Sequence, residues 1–141
     1  MILPDVNVLL HAFRVDAPEH REHRSWLEAV IGGDIRYGIS PQVLSSVLRI
    51  ATNRRVFREP YDLANVLAFC ADVTDPPQCQ IIQPGPGHWE IFSDLCPRVP
   101  ATGNLVQDAW FAALAIENGC EWITHDRDYT RFPGLRTRAP F

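Results

Sequence analysis

The first ten residues, Met1 to Leu10, read MILPDVNVLL and bear most directly on the fold. Ile2 and Leu3 form a short apolar run that is typical of a strand, and a second apolar run begins just after Asp5. Asp5 stands where a helix that begins near Val6 would take its N-cap residue. This stretch therefore predicts a strand, an acidic residue and a helix in immediate succession.

The same alternation of strands and helices continues along the chain. Further short strands are predicted at 35–39, 79–82 and 122–124. Apolar residues recur at helical spacing over 26–31, 43–51, 63–70 and 105–116. Asp62 is placed to cap the helix at 63–70, and Gly119 to end the helix at 105–116. Alternating elements predict one α/β domain over residues 1–141, a three-layer α/β/α sandwich with a mainly parallel central sheet.

Several polar residues come directly after the predicted strands. Asp5 follows the first strand, Ser40 the second, and His125, Asp126 and Asp128 the last. In a parallel sheet the carboxyl ends of the strands meet at one edge, where binding sites form. We therefore expect these side chains to share one edge of the sheet.

Three of the acidic residues are candidate site residues. A carboxylate between apolar runs, as at Asp5, needs a partner or a metal ion if it is buried, although helix capping explains this residue equally well. Asp108 lies in a helix that is apolar nearly all round, beside small alanines, and a hydrogen bond to the backbone is the alternative for it. Asp126 and Asp128 follow a strand, as acids in turns often do.

Gathered carboxylates would repel one another, by roughly 3 kcal/mol for a pair ~5 Å apart at an effective dielectric near 20. A divalent cation relieves this repulsion, and ligands that are all oxygen select Mg²⁺, with Mn²⁺ as a second possibility. Such a cation activates water for attack on a phosphodiester. No Ser-His-Asp or Cys-His spacing is evident, which argues against catalysis by a side-chain nucleophile.

The charge pattern limits how the chain can bind nucleic acid. Its net charge is −4, and all 13 of its basic side chains are Arg, so RNA binding would need local Arg clusters. Arg49, Arg54 and Arg55 form one such cluster beside the predicted site, and their guanidinium groups suit phosphate contacts. For a second group we expect a solvated face or salt bridges. That group is Arg14, Arg21 and Arg24.

The cysteines and histidines favour structural roles. No Cys-x-x-Cys pair occurs, so the four cysteines are predicted to be buried free thiols. His20, His23 and His125 suggest a metal site, but a helix surface and a loop position explain them more simply. No apolar run approaches about 18 residues, and the N-terminus lacks the basic start of a signal peptide, which predicts a cytoplasmic protein with no membrane partner.

Four segments resemble motifs of the PIN-domain nucleases. MILPDVNVLL at 1–10 resembles their first motif, and LRIATN at 48–53 also fits the family. QDAWFAALAIENGC at 107–120 resembles the helix that carries their third acid, and THDRDYTRFPGL at 124–135 resembles their closing motif. By order, spacing and total length the chain is similar to the VapC toxins of bacterial toxin–antitoxin pairs.

The resemblance implies a Mg²⁺-dependent endoribonuclease that acts on structured RNA, either tRNA or rRNA. It also implies a homodimer and a VapB-type antitoxin whose tail covers the active-site groove. Matched to the motifs, Asp5, Asp108 and Asp126 are the catalytic and metal-binding acids. Asp128 is an auxiliary acid by the same match, and Asn7 helps to hold the first acid.

One position departs from the family pattern. Ser46 stands where the family often has Glu, and no Asp or Glu occurs from Ile35 to Arg58. Ser46 is then an auxiliary residue whose hydroxyl would orient a metal-bound water. The loss of a carboxylate also leaves open a catalytically weak module that binds RNA or antitoxin. A haloacid-dehalogenase-type phosphatase is a second alternative, but it would need Asp-x-Asp where this chain has Asp5-Val6-Asn7.

Overall fold

The computed structural model describes residues 1–141, and a sheet of five parallel strands lies at its centre. The strands are β1 (Ile2–Pro4), β2 (Tyr37–Ile39), β3 (Cys79–Ile81), β4 (Glu121–Ile123) and β5 (Arg136–Arg138). The helices are α1 (Val6–Phe13), α2 (His20–Ile31), α3 (Pro41–Ala51), α4 (Leu63–Thr74), α5 (His88–Arg98) and α6 (Asn104–Glu117). A short 3-10 helix spans Arg127–Arg131.

The strand order, β3-β2-β1-β4-β5, confirms the predicted α/β architecture. Helix α1 contacts α2 and α3, and α3 contacts α4, whereas α5 packs on α6. Right-handed crossovers put these two groups of helices on opposite faces of the sheet. The chain leaves β1 in one direction and later returns to its other side with β4. The carboxyl ends of β1 and β4 therefore form the switch point at which sites arise in such sheets.

Three elements were not predicted, namely β5, α5 and the 3-10 helix at Arg127–Arg131. Strand β5 reads Arg-Thr-Arg, which carries no apolar signal, and helix α5 contains Pro97. The strand after Gly119 is therefore the fourth of five and not the last. The remaining predicted strands differ from the observed ones only at their ends.

Local capping explains several helix boundaries. The side chains of Asp5 and Ser40 cap α1 and α3, and Pro41 occupies the first turn of α3, where its missing N–H costs nothing. Asp62 holds the N-cap position of α4 but makes no capping hydrogen bond. Gly119 adopts a φ of 61° just after α6, a left-handed conformation that favours glycine.

One continuous core of 27 buried residues lies between the sheet and the helices. Cys70 and Cys120 are buried free thiols, as predicted, but Cys79 and Cys96 are only half-buried because they lie at the margin of this core. None of the helices combines the length and apolar composition that crossing a bilayer requires.

Candidate active site

Asp5 lies at the carboxyl end of β1, beside the carboxyl end of β4. Pro4 pairs with Ile123 in the parallel ladder, and the N–H of Asp5 donates to the carbonyl of Ile123 at 2.9 Å. This register brings Asp5 beside Thr124, whose hydroxyl donates a 2.7 Å hydrogen bond to Oδ2 of Asp5. Oδ1 accepts from the N–H of Val6 at 2.6 Å, so both carboxylate oxygens are bound.

The carboxylate of Asp5 is buried, with the residue only 3% exposed. Burial raises its pKa from 3.8 to about 6, against the opposing effect of the hydrogen bonds from Thr124 and Val6. The negative charges of Asp108 and Asp126 raise this pKa further. Ionisation of Asp5 at neutral pH therefore leaves a buried charge that a nearby cation would stabilise.

Asp126 lies in the turn that follows β4, close to Asp5. Its N–H donates to the Thr124 hydroxyl oxygen at 3.0 Å, so Thr124 links the backbone of one acid to the side chain of the other. Its own carboxylate caps the 3-10 helix by accepting from the N–H of Asp128 at 2.8 Å. The exposed carboxylate of Asp128 pairs weakly with Arg131 at 3.8 Å.

Asp108 reaches the same edge from α6. It is half-buried, and its Oδ1 accepts a 3.2 Å hydrogen bond from the Tyr129 hydroxyl. Burial raises the pKa of Asp108, and the charges of Asp126 and Asp128 raise it further. The indole of Trp110 donates at 2.6 Å to Oε1 of Gln42, which holds the second turn of α6 against the start of α3.

Tyr129 is a buried residue that the sequence did not single out. Burial and the charges of Asp5 and Asp108 hold the pKa of its phenol far above the ordinary range. The hydroxyl therefore stays protonated and serves as a donor to Asp108. Thr124 was missed in the same way, although both residues lie inside the closing motif that suggested the family.

The three predicted acids thus lie at one edge of the sheet, where the charges of Asp108 and Asp126 act on Asp5 and the charge of Asp126 acts on Asp108. They form an open group: Asp5, Asp108 and Asp126 do not bring one carboxylate oxygen each to within 4.8 Å of the other two. An open oxygen cluster suits Mg²⁺, which keeps several of its waters when it binds protein.

The auxiliary residues fall in different places. Asn7 is exposed and makes no hydrogen bond to Asp5, because the first turn of α1 directs it into solvent; Thr124 holds this acid instead. The prediction for Asn7 is corrected accordingly. Ser46 is half-buried in the middle of α3, and its hydroxyl has no hydrogen-bond partner.

The arginines predicted to bind RNA are exposed and unpaired, as phosphate contacts would require. Arg49, Arg54 and Arg55 are all exposed, and none of them forms a salt bridge. In the other group Arg14 pairs with Asp16 and Arg24 pairs with Glu28, whereas exposed Arg21 forms no salt bridge. All three arginines of the first group are therefore free to contact phosphates, compared with only Arg21 in the second group.

His23 does not lie on a helix surface as predicted. It is fully buried, and its ring packs edge-on against that of His125, with the ring centroids 5.1 Å apart. A carboxylate oxygen of Glu19 lies within 4.8 Å of a ring nitrogen of each histidine. This group of residues adjoins Asp126 in sequence but is separate from the three acids.

Two cavities lie beside the sheet, and Arg138 lines both of them. A cavity of about 350 Å³ lies along the turn after β4, between Thr124–Arg127 and Thr137–Ala139. A larger and more apolar cavity of about 520 Å³ lies among residues such as Met1, Tyr37 and Arg136. The smaller cavity includes Asp126, whereas the larger one contains none of the three acids, so only the smaller one belongs to the candidate site.

A parallel sheet with an acidic cluster at its switch point agrees with the family that the motifs suggested. A model of the PIN domain matches residues 2–135 of the chain. The chain belongs to the PIN-domain family. This membership excludes the haloacid-dehalogenase-type alternative.

Its relatives include the VapC proteins of mycobacteria. The chain is 39% identical over 140 residues to ribonuclease VapC31 of Mycobacterium tuberculosis, a match that covers 99% of each protein. It is 32% identical over 140 residues to ribonuclease VapC33 of the same organism, a match that covers 99% of this chain and 98% of that protein.

Solved structures with a similar fold come from two other bacteria. VapBC2 from Rickettsia felis, bound to a DNA fragment from its promoter, aligns with a TM-score of 0.69 at 16% identity, over 99% of this chain and 98% of that one. A toxin–antitoxin complex from Klebsiella pneumoniae aligns with a TM-score of 0.64 at 21% identity, over 100% and 98%. At these identities the likeness concerns the fold.

Proposed function

We propose that the protein is the toxin of a type II toxin–antitoxin pair and acts as a metal-dependent endoribonuclease. The observation that carries this proposal is the gathering of Asp5, Asp108 and Asp126 at one sheet edge, where the charge of Asp126 raises the pKa of both Asp5 and Asp108. The sequence identity of 39% and 32% to two VapC ribonucleases, over nearly the full length of each protein, supports it.

The donor set fits a hard divalent cation. Asp5, Asp108 and Asp126 would hold Mg²⁺, or Mn²⁺ in its place, because all their donor atoms are carboxylate oxygens. When bound, such a cation lowers the pKa of water and offsets charge on a phosphodiester. The raised pKa of Asp5 and Asp108 agrees with a site that needs positive charge.

The other residues would orient the acids and the substrate. Thr124 fixes Oδ2 of Asp5, and Tyr129 fixes Oδ1 of Asp108 with a hydroxyl that remains protonated. Asp128 acts as an auxiliary acid whose charge raises the pKa of Asp108. Arg49, Arg54 and Arg55 would bind RNA phosphates away from the acids and so compensate for the net charge of −4.

The proposal extends to targets and partners. The substrate would be a structured RNA, tRNA or rRNA, cleaved in the cytoplasm. A VapB-type antitoxin would cover the acidic edge, and the toxin would form a homodimer. A short gene for a DNA-binding antitoxin directly upstream would support this arrangement.

A second candidate function follows from Ser46. With a hydroxyl where the family often carries Glu, the site has one charge fewer and would bind Mg²⁺ more weakly. A module that binds RNA or antitoxin with little cleavage is therefore the alternative to the nuclease.

The deciding experiment measures cleavage of total bacterial RNA by the purified chain with Mg²⁺ or Mn²⁺, followed by sequencing of new 5′ ends. Asp5→Asn and Asp108→Asn should each reduce cleavage by at least about 100-fold. Asp72→Asn, an exposed acid on α4, is the matched control and should cleave normally. Cleavage that survives Asp5→Asn contradicts the site, and retention of RNA without any cleavage favours the binding module.

A further inference from the structure

A second cluster of ligand-type side chains lies outside the acidic edge. Glu19 precedes α2, His23 lies in its first turn, and His125 lies in the turn after β4. One ligand atom from each residue lies within 4.8 Å of the other two. It is the only set of three such residues in the chain that meets this distance.

His23 has the hydrogen bonding of a metal ligand. Its Nδ1 lies 2.8 Å from the carbonyl oxygen of Glu19, and a carbonyl can only accept, so Nδ1 carries the proton. In the neutral ring this leaves Nε2 with its lone pair free. A backbone carbonyl on one ring nitrogen, with the other nitrogen free, is the arrangement that orients a histidine toward a metal ion.

The free nitrogen of His23 has no partner. His23 is 0% exposed, and Nε2 is buried without any hydrogen bond. Buried polar atoms in native proteins are nearly always satisfied, and an unmatched one calls for an unseen ion or water. The aromatic rings of His11, His125 and Phe141 pack around His23 and supply no other acceptor or donor bond to it.

We propose that Glu19, His23 and His125 bind a single divalent cation of the zinc class. Two imidazole nitrogens and one carboxylate oxygen are a common ligand set for Zn²⁺, with water in the fourth position. Imidazole is a poor ligand for Mg²⁺, which prefers oxygen. The two sites of the molecule therefore select different metals.

Binding requires only a small closure of the cluster. Ligands lie about 2.0–2.2 Å from zinc, so the atoms now up to 4.8 Å apart would approach by at most about 1.5 Å. Glu19 and His125 are exposed and can make this movement, whereas buried His23 provides the fixed position. No rearrangement of the fold is needed.

The position of His125 gives this site a consequence for the acidic edge. His125 lies between Thr124, which holds Asp5, and Asp126, which caps the 3-10 helix. A cation on His125 would attach this turn to the start of α2. The ion would therefore stabilise the turn that carries two of the residues at the acidic edge.

The test titrates Zn²⁺ into the full, EDTA-treated chain in excess Mg²⁺, with a chromophoric chelator as competitor. One equivalent should bind, and Co²⁺ in its place should give the visible absorption of a four-coordinate site. His125→Ala and Glu19→Gln should each weaken Zn²⁺ binding at least about tenfold, because even loss of an outer partner of a ligand costs 10- to 100-fold. Both residues are exposed, so these variants should fold.

Matched controls come from the same helix and from the acidic edge. His20→Ala and Glu22→Gln alter neighbours on α2 that are not in the cluster and should bind Zn²⁺ like the parent. Asp108→Asn should also bind it normally. The proposal is overturned if the parent binds no Zn²⁺ under these conditions, if either cluster variant binds as tightly as the parent, or if Asp108→Asn abolishes binding.

Discussion

The hydroxyl of Thr124 donates a 2.7 Å hydrogen bond to Oδ2 of Asp5 across 119 positions of sequence. The hydroxyl oxygen of Thr124 also accepts a hydrogen bond from the N–H of Asp126 at 3.0 Å. One small side chain thus joins the ends of two neighbouring strands and fixes the relative positions of two acids.

Thr124→Val should destabilise the protein and alter its pH dependence. The substitution leaves Oδ2 of Asp5 and the N–H of Asp126 without a partner, which costs about 1–3 kcal/mol. The lost hydrogen bond lowers the pKa of Asp5 at present, so the pKa should rise and the onset of RNA cleavage should move to higher pH. Urea unfolding and a pH–rate profile measure both effects. Thr124→Ser keeps the hydroxyl, and an equal loss in that variant would argue against the hydrogen bond as the cause.

Asp5 should make the metal-free protein less stable as pH rises. Its pKa is 3.8 in the unfolded chain and about 6 in the folded one, so between these values the folded state binds more protons. The free energy of unfolding should fall through this window by roughly 3 kcal/mol, at about 1.4 kcal/mol per pKa unit. Asp5→Asn should remove this fall and be more stable than the parent at pH 8 in EDTA. Parallel stability curves from pH 4 to pH 8 would show that Asp5 is not responsible.

Mg²⁺ should raise the melting temperature of the parent. A cation that binds only the native acidic edge adds about 1.4 kcal/mol at ten times its Kd, or about 4 °C for a chain of this size. Asp108→Asn should lose most of this response and, without metal, should melt at or above the parent's temperature because one repulsive charge is gone. Differential scanning calorimetry with and without Mg²⁺ provides the measurement. Asp72→Asn serves as the control, and an equal loss of response in it would mean that Mg²⁺ acts non-specifically.

Arg54 and Arg55 should contribute to RNA binding through phosphates. Replacing both with Ala should weaken RNA binding and reduce the magnitude of the slope of log K against log salt by about 1–2. The slope falls because fewer counterions are released from the RNA when two phosphate contacts are missing. Arg98→Ala is a suitable control, because the Arg98 guanidinium is already paired with Asp94 at 3.0 Å. Filter binding across a salt series tests this, and an unchanged slope in the double variant would exclude these two residues from the RNA surface.

Ser46→Glu should increase the affinity for Mg²⁺. Ser46 is half-buried in α3, and a carboxylate there would restore the acid that the family often carries at this position. A lower Mg²⁺ concentration for half-maximal cleavage is the expected result. Ser45→Glu places the same charge on the exposed neighbour and should leave this concentration unchanged. Equal effects from both variants would indicate long-range electrostatics in place of a metal ligand.

The sequence was sufficient for the elements whose residues carry a strong local signal. Apolar runs predicted β1 to β4, and the rule that parallel strands end at one edge correctly placed Asp5, Ser40 and Asp126 at the same edge of the sheet. Strand β5 was missed because edge strands need no apolar residues. The partner of Asp5 was missed because the pairing of β1 with β4 is a long-range choice that no local pattern reveals.

The burial of the histidines likewise depends on long-range contacts that the local sequence does not reveal. From the sequence, His20 and His23 were both predicted to lie on a helix surface, yet His23 is fully buried and His20 is only half-buried. Its burial arises from the packing of α2 against α1 and from the approach of His125. Contacts between segments distant in sequence decided both the Thr124–Asp5 pair and the Glu19–His23–His125 cluster.

The exposed arginines of β5 affect whether two copies of this molecule can associate through their edge strands. An outermost strand offers unpaired backbone groups to any extended segment, and charged side chains discourage such strand addition. Arg136 and Arg138 are both exposed, and the latter is paired with Glu121 on the neighbouring strand. Replacing both with Val would leave an uncharged edge strand and would favour self-assembly into fibres. As it stands, this side of the molecule resists joining into a continuous intermolecular sheet.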